Sequence, residues 1–147
     1  MNLLQEVQVD QVLGYFAAGV TKCTSSIVDM QNYEGVMFIC ELGTLIAGGT
    51  LDCYVEENSA NSTSGMARLS GQAVYTVTSG DAAQTQSAIG IDVYQPIDRY
   101  VQCNITPATQ NAVILGITAI RYNGKLKPPA NGTLLSATQL VSPSEGV

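Results

Sequence analysis

Hydrophobic and polar residues alternate along most of this chain with a period close to two. Residues 100–106 (YVQCNIT) alternate cleanly, and residues 112–122 (AVILGITAIRY) form a longer apolar run rich in β-branched side chains. This pattern is typical of strands that bury one face. The same reasoning predicts further strands at residues 26–30, 35–42, 50–57, 74–78 and 88–94.

Turn residues separate these strands at intervals of about 8–12 residues, which is the rhythm of a β-sandwich or jelly roll. The predicted strands do not alternate with helices along the chain, so a parallel sheet is not expected. We therefore predict an all-β, antiparallel β-sandwich in residues 21–122. Residues 35–42 and 50–57 are expected to pair as a hairpin, and Gly116 is expected to mark a bulge in the last strand.

The two ends of the chain lack the strand pattern of the middle. Residues 1–20 have weak signals for both helix and strand, and are predicted to form an arm or an edge segment. Residues 123–147 contain Pro128-Pro129 and Ser142-Pro143, and proline cannot donate a hydrogen bond to a sheet. We predict an extended C-terminal arm that lies on the protein's own surface or on a neighbour's.

Charge and composition narrow the functions open to the chain. Its 147 residues are 46% hydrophobic and only 12% charged, with a net charge of −6, so part of the weakly charged surface is expected to meet another protein. The acidic total argues against nucleic acid as a partner. The start, MNLLQEVQVD, has no basic region typical of a signal peptide, and no run is long enough to span a membrane. We therefore expect synthesis in the cytoplasm.

Catalytic chemistry finds little support in the sequence. The absence of histidine excludes Ser-His-Asp triads and His-ligated metal sites. Nothing places two carboxylates across a cleft as a glycosidase requires. The four cysteines form no CxxC pair and are interpreted as small core residues rather than as disulfides or metal ligands. We expect no enzyme activity, no cofactor and no metal.

Two groups of residues are candidates for structural roles. Bases on the last predicted strand and in the tail, together with tail leucines, are candidate docking or interface residues: Arg121, Lys125, Lys127, Leu134, Leu135 and Leu140. A second group surrounds the turn at residues 95–99, where a carboxylate is expected to hold the arginine and pin a structural corner: Asp92, Tyr94, Asp98, Arg99 and Tyr100.

Three segments resemble small virion proteins of tailed bacteriophages. They are residues 91–122, the Gly- and Thr-rich residues 41–63, and the closing VSPSEGV. Within that group the chain is most similar to a capsid cement or decoration protein with a jelly-roll fold. The resemblance implies a non-enzymatic protein on the outer surface of the virion that bridges neighbouring major capsid protein subunits. It also implies self-association, for which we expect a dimer rather than a trimer.

Two alternatives stay open from the sequence. One is a carbohydrate-binding or receptor-binding β-sandwich module, although the chain has neither a tryptophan nor a calcium-binding loop. The other is a component of the neck or tail of the virion.

Overall fold

Two antiparallel β-sheets pack face to face in the computed structural model, which describes residues 2–140. The chain forms α1 (Leu3–Glu6), β1 (Val7–Leu13), β2 (Phe16–Gly19), β3 (Cys23–Thr24), β4 (Val28–Asp29), β5 (Gly35–Leu45), β6 (Thr50–Asn58), β7 (Ala67–Arg68), β8 (Ala73–Thr76), α2 (Ser79–Ala82), β9 (Ser87–Tyr94), β10 (Tyr100–Ala108) and β11 (Ala112–Tyr122). The prediction of an all-β sandwich is confirmed.

The first sheet has the strand order β1-β11-β5-β9, with β2 also pairing β11. The second has the order β3-β10-β6-β7, with β4 also on β10 and β8 on β6. The pairs β1–β11, β3–β10, β5–β9 and β6–β8 are nested along the chain, and the pairings β5–β11 and β6–β10 join them into the two sheets. This nested pairing is that of a jelly roll, and it confirms the expected topology.

The predicted hairpin between residues 35–42 and 50–57 is wrong. Both segments form strands, but β5 pairs β11 on one side and β9 on the other. Strand β6 pairs β10 and the short strands β7 and β8. Both sides of each strand are occupied, so the residues between β5 and β6 carry the chain from one sheet to the other.

The last strand, the short helix α2 and the first strand show further local detail. Strand β11 has the predicted bounds, and its register on β5 shifts between Ile114 and Gly116, as expected of a bulge. Residues 79–82 form the one-turn helix α2, which Thr78 and Asp81 stabilise as a capping box. At the N-terminus, β1 is an edge strand of the first sheet.

The core lies between the four long strands β5, β6, β10 and β11. Alternate residues of these strands point inward and are almost fully buried, as the period of two requires. The largest of them are Phe38, Leu51, Ile105, Ile114 and Ile117. No helix within residues 2–140 has the length and apolar character needed to cross a membrane.

Candidate functional site

The C-terminal segment, residues 123–140, follows the chain's own sheet edge. The Thr133 N–H donates to the Val9 carbonyl at 3.2 Å, and the Gln11 N–H donates to the Thr133 hydroxyl at 2.6 Å. Gly132 has a φ of 65°, and a Cβ added there would lie 2.2 Å from the Val9 oxygen. Only glycine therefore fits this close approach. Of the two predicted surfaces, the described part of the arm lies on the protein's own.

The three candidate docking bases differ in what they contact. The Arg121 side chain is only 14% exposed and pairs with Asp10, so it has little surface to offer a partner. Lys127 is half exposed and pairs with Glu6 on α1. Lys125 is exposed and lies at the rim of a cleft, while its backbone N–H donates to Asn32.

The candidate docking leucines divide in the same way. Leu134 is half-buried, whereas Leu135 is fully exposed and Leu140 is 72% exposed. Leu126, at the start of the segment, is 73% exposed. The C-terminal segment therefore presents three large apolar side chains to solvent while its middle is tied to β1. The closing VSPSEGV lies outside the described residues.

The arginine of the predicted structural corner is held by a carboxylate that the sequence did not indicate. The Arg99 guanidinium donates two hydrogen bonds of 2.8 Å to Asp29, rather than to Asp92 or Asp98. The Arg99 side chain also lies over Tyr100, 5.0 Å from the ring centroid. Hydrogen bonding from Arg99 holds the pKa of Asp29 below its ordinary value. Asp29 is far from Arg99 in sequence, so spacing along the chain pointed instead to the nearby Asp92 and Asp98.

The other corner residues make separate contacts of their own. The Tyr122 hydroxyl donates to Asp92 at 2.8 Å, and burial together with this bond raises the pKa of Tyr122 to about 12. The Tyr94 hydroxyl donates to Glu34, and the Asp98 N–H donates to Glu57 at 3.2 Å. Each of these carboxylates thus has a structural partner.

A cleft of about 630 Å³ joins the two predicted groups. Its walls include Asp98 and Arg99 from the corner and Lys125 from the C-terminal segment. Ile97, at the turn between β9 and β10, is 92% exposed and also lines the cleft. The structure thus brings the corner and one docking base together, although they are 26 residues apart in sequence.

Three of the four cysteines expected in the core meet between the sheets. Cys40 lies on β5, Cys53 on β6 and Cys103 on β10, and none has exposed surface. Their sulfurs are 3.4, 3.7 and 4.0 Å apart. The sequence spacings of 13 and 50 residues gave no sign of this cluster, because the pairing of distant strands creates it.

Comparisons with known proteins identify no family. No family model and no curated protein matches the chain. Among solved structures, a protein of the disulfide-linked pili of Bacillus endospore appendages superimposes with a TM-score of 0.44 and 14% identity, over 80% of this chain and 89% of that one. Dimeric latent PorU from Porphyromonas gingivalis has a TM-score of 0.42 and 9% identity, over 83% of this chain and 13% of PorU. Similarity at this level carries no conclusion about function.

Proposed function

We propose that the protein is a non-enzymatic structural subunit that docks onto a larger assembly through its C-terminal segment and the adjoining cleft. The observation that carries the proposal is the exposure of Leu126, Leu135 and Leu140 on a segment whose middle is fixed to β1. Single exposed leucines are ordinary on protein surfaces, but several on one short anchored segment favour an interface.

The anchoring matters because a flexible segment must be immobilised when it binds, and this loss of conformational freedom weakens binding. A segment already held by the Gln11–Thr133 and Val9–Thr133 hydrogen bonds loses less conformational freedom on binding than a free tail would. Lys125 and Ile97 at the cleft supply a charged and an apolar contact beside it. The low content of charged residues also suits a protein that covers part of its surface in an assembly.

The finer proposal names that assembly as a phage capsid. The resemblance of residues 41–63 and 91–122 to small virion proteins supports a cement or decoration role on the outer surface of the virion. The partners are then the major capsid protein and a second copy of this chain. Many symmetric copies make weak individual contacts effective, because linked contacts add by multivalency.

The cleft supports the carbohydrate-binding alternative less well than it supports docking. Its polar side chains already bond within the protein: Arg99 to Asp29 and Gln31, and Asn123 to Glu34. These contacts make a rigid corner rather than a set of open hydrogen-bonding groups. A glycan array that gave a specific hit would favour the alternative.

Copy number tests the capsid proposal first. Quantitative mass spectrometry of purified particles should find this chain in a ratio near one-to-one with the major capsid protein. A ratio below about one in ten would favour a vertex, neck or tail position over cement, and absence from particles would refute the virion proposal.

Surface substitutions test the docking segment. The double variant Leu135→Ser/Leu140→Ser should bind particles at least tenfold more weakly than the native chain, with unchanged thermal stability. Val74→Ser is a matched control, because Val74 is 55% exposed and lies on β8, outside the docking segment. Equal binding by the native chain and the double variant would show that the segment is not the docking element.

A further inference from the structure

The three buried thiols form a compact triangle that the proposed docking function does not use. Cys40 comes from the first sheet, whereas Cys53 and Cys103 come from neighbouring strands of the second. All three are fully buried. The triangle is therefore assembled only when the two sheets pack against each other.

The size of the triangle suits a single bound ion. With sides of 3.4, 3.7 and 4.0 Å, the point equidistant from the three sulfurs lies about 2.2 Å from each of them. Bonds between a thiolate and a metal such as zinc are about 2.3 Å long. An ion slightly out of the sulfur plane would reach all three sulfurs without any movement of the strands.

The surroundings of the triangle select the charge of the ion. The inward neighbours along these strands are apolar and fully or almost fully buried: Phe38, Leu42, Leu51, Val55, Val101 and Ile105. Within residues 2–140 the potential ligand cluster has these three members and no fourth. Three thiolates around Zn²⁺ would leave one negative charge in this apolar core, and around Cu⁺ they would leave two, at a high cost in desolvation. A trivalent ion gives a neutral complex.

We propose that Cys40, Cys53 and Cys103 form a three-coordinate thiolate site for a trivalent, thiophilic ion of the arsenic and antimony class. With arsenous acid, As(OH)₃, three As–O bonds break and three As–S bonds form. Each thiol proton leaves with a hydroxyl group as water, so three waters are released. No oxidation state changes, and the step requires no oxidant or reductant.

Loading during folding tests the site, because the folded core hides all three sulfurs. The full chain is refolded at neutral pH with a phosphine reductant and one equivalent of arsenite, then passed through a column containing a small dithiol. A dithiol competes well against two protein thiols but less well against three. We expect about one arsenic per chain by elemental mass spectrometry, and X-ray absorption should show three sulfur neighbours and no oxygen.

Two variants and two other ions sharpen the test. Cys53→Ala should retain at least tenfold less arsenic than the native chain. Cys23→Ala should retain as much as the native chain, because Cys23 is buried but lies outside the triangle. Parallel refolding with Zn²⁺ or Cu⁺ should leave at least tenfold less metal on the native chain than arsenite does.

Several outcomes would overturn the proposal. They are loss of arsenic to the dithiol, oxygen in the first shell, an equal loss of arsenic in both variants, or stronger retention of Cu⁺ or Zn²⁺ than of arsenic. If Cys53→Ala does not fold, the sulfur count around arsenic in the native chain decides alone. Three sulfurs support the site, and fewer refute it.

Discussion

Arg121 and Asp10 form an ion pair 2.6 Å long whose two side chains are only 14% and 15% exposed. The same guanidinium donates to the Asp29 carbonyl at 2.8 Å and lies 4.8 Å from the centroid of the Tyr33 ring. Asp10 is on β1 and Asp29 is on β4, in opposite sheets. One arginine thus connects the edge of the first sheet to the second sheet, which is a structural role; the docking role expected of it stays a prediction.

Removing one partner of this pair should destabilise the fold strongly. Asp10→Ala leaves the Arg121 cation largely buried without its counter-charge, and we expect a loss of about 3 kcal/mol in the free energy of unfolding. The double variant Asp10→Ala/Arg121→Met should recover part of that loss. Chemical denaturation measures both.

The exposed pair between Asp52 and Arg68 provides the control. Its side chains are 34% and 40% exposed, so Asp52→Ala should cost no more than about 1 kcal/mol. Equal losses in Asp10→Ala and Asp52→Ala would show that burial of the Arg121–Asp10 pair is unimportant.

Gly132→Ala should release the C-terminal segment from β1. The added methyl group would collide with the Val9 carbonyl, and the φ of 65° disfavours alanine by about 1 kcal/mol or more. Hydrogen exchange at the Gln11 N–H should accelerate by about tenfold. Gly14→Ala is the control, because a methyl group there meets open space. Unchanged protection of Gln11 in Gly132→Ala would refute this anchor.

Tyr122 should be among the last tyrosines to ionise. Its folded pKa is raised to about 12 by burial and by the bond to Asp92, above the ordinary value of 10.0. Its stabilising contribution is therefore complete below pH 10 and is lost as the pH rises through about 12. Ultraviolet titration of phenolate should show a late step that Tyr122→Phe removes. A spectrum in which Tyr122→Phe removes an ordinary step near pH 10 would contradict this environment.

Asp29 should contribute to unfolding in acid. Hydrogen bonding from Arg99 lowers its folded pKa below 3.8, so its contribution is complete above that pH and is lost as the pH falls through the lower folded value. Asp29→Asn should flatten the dependence of stability on pH below about 4, and Arg99→Gln should do the same. If only Asp29→Asn has this effect, Arg99 is not the cause.

Most individual strands were predictable because their signals are local. Alternating residues mark β10 and β11 as strands, and glycine, proline and asparagine reveal where strands end. On β11 the alternation also reveals the buried face, whereas residues 101–105 of β10 are all buried, so its polar face is covered as well. Which strands pair with each other was harder to predict from the sequence. The chain between β5 and β6 fits a hairpin as well as a crossing between sheets, and only the presence of β9 and β11 beside β5 excludes the hairpin.

The sequence alone determined the all-β character, the positions of most strands and the contrasting composition of the C-terminal segment, since these follow from side-chain periodicity and from backbone limits at proline and glycine. Only the tertiary structure decided which distant residues meet: Asp29 with Arg99, Asp10 with Arg121, and Cys40 with Cys53 and Cys103. These contacts span from 13 to 111 residues of sequence. They depend on strand order and on packing between the sheets. Both arise from burial of the whole core at once, so no local sequence pattern reveals them.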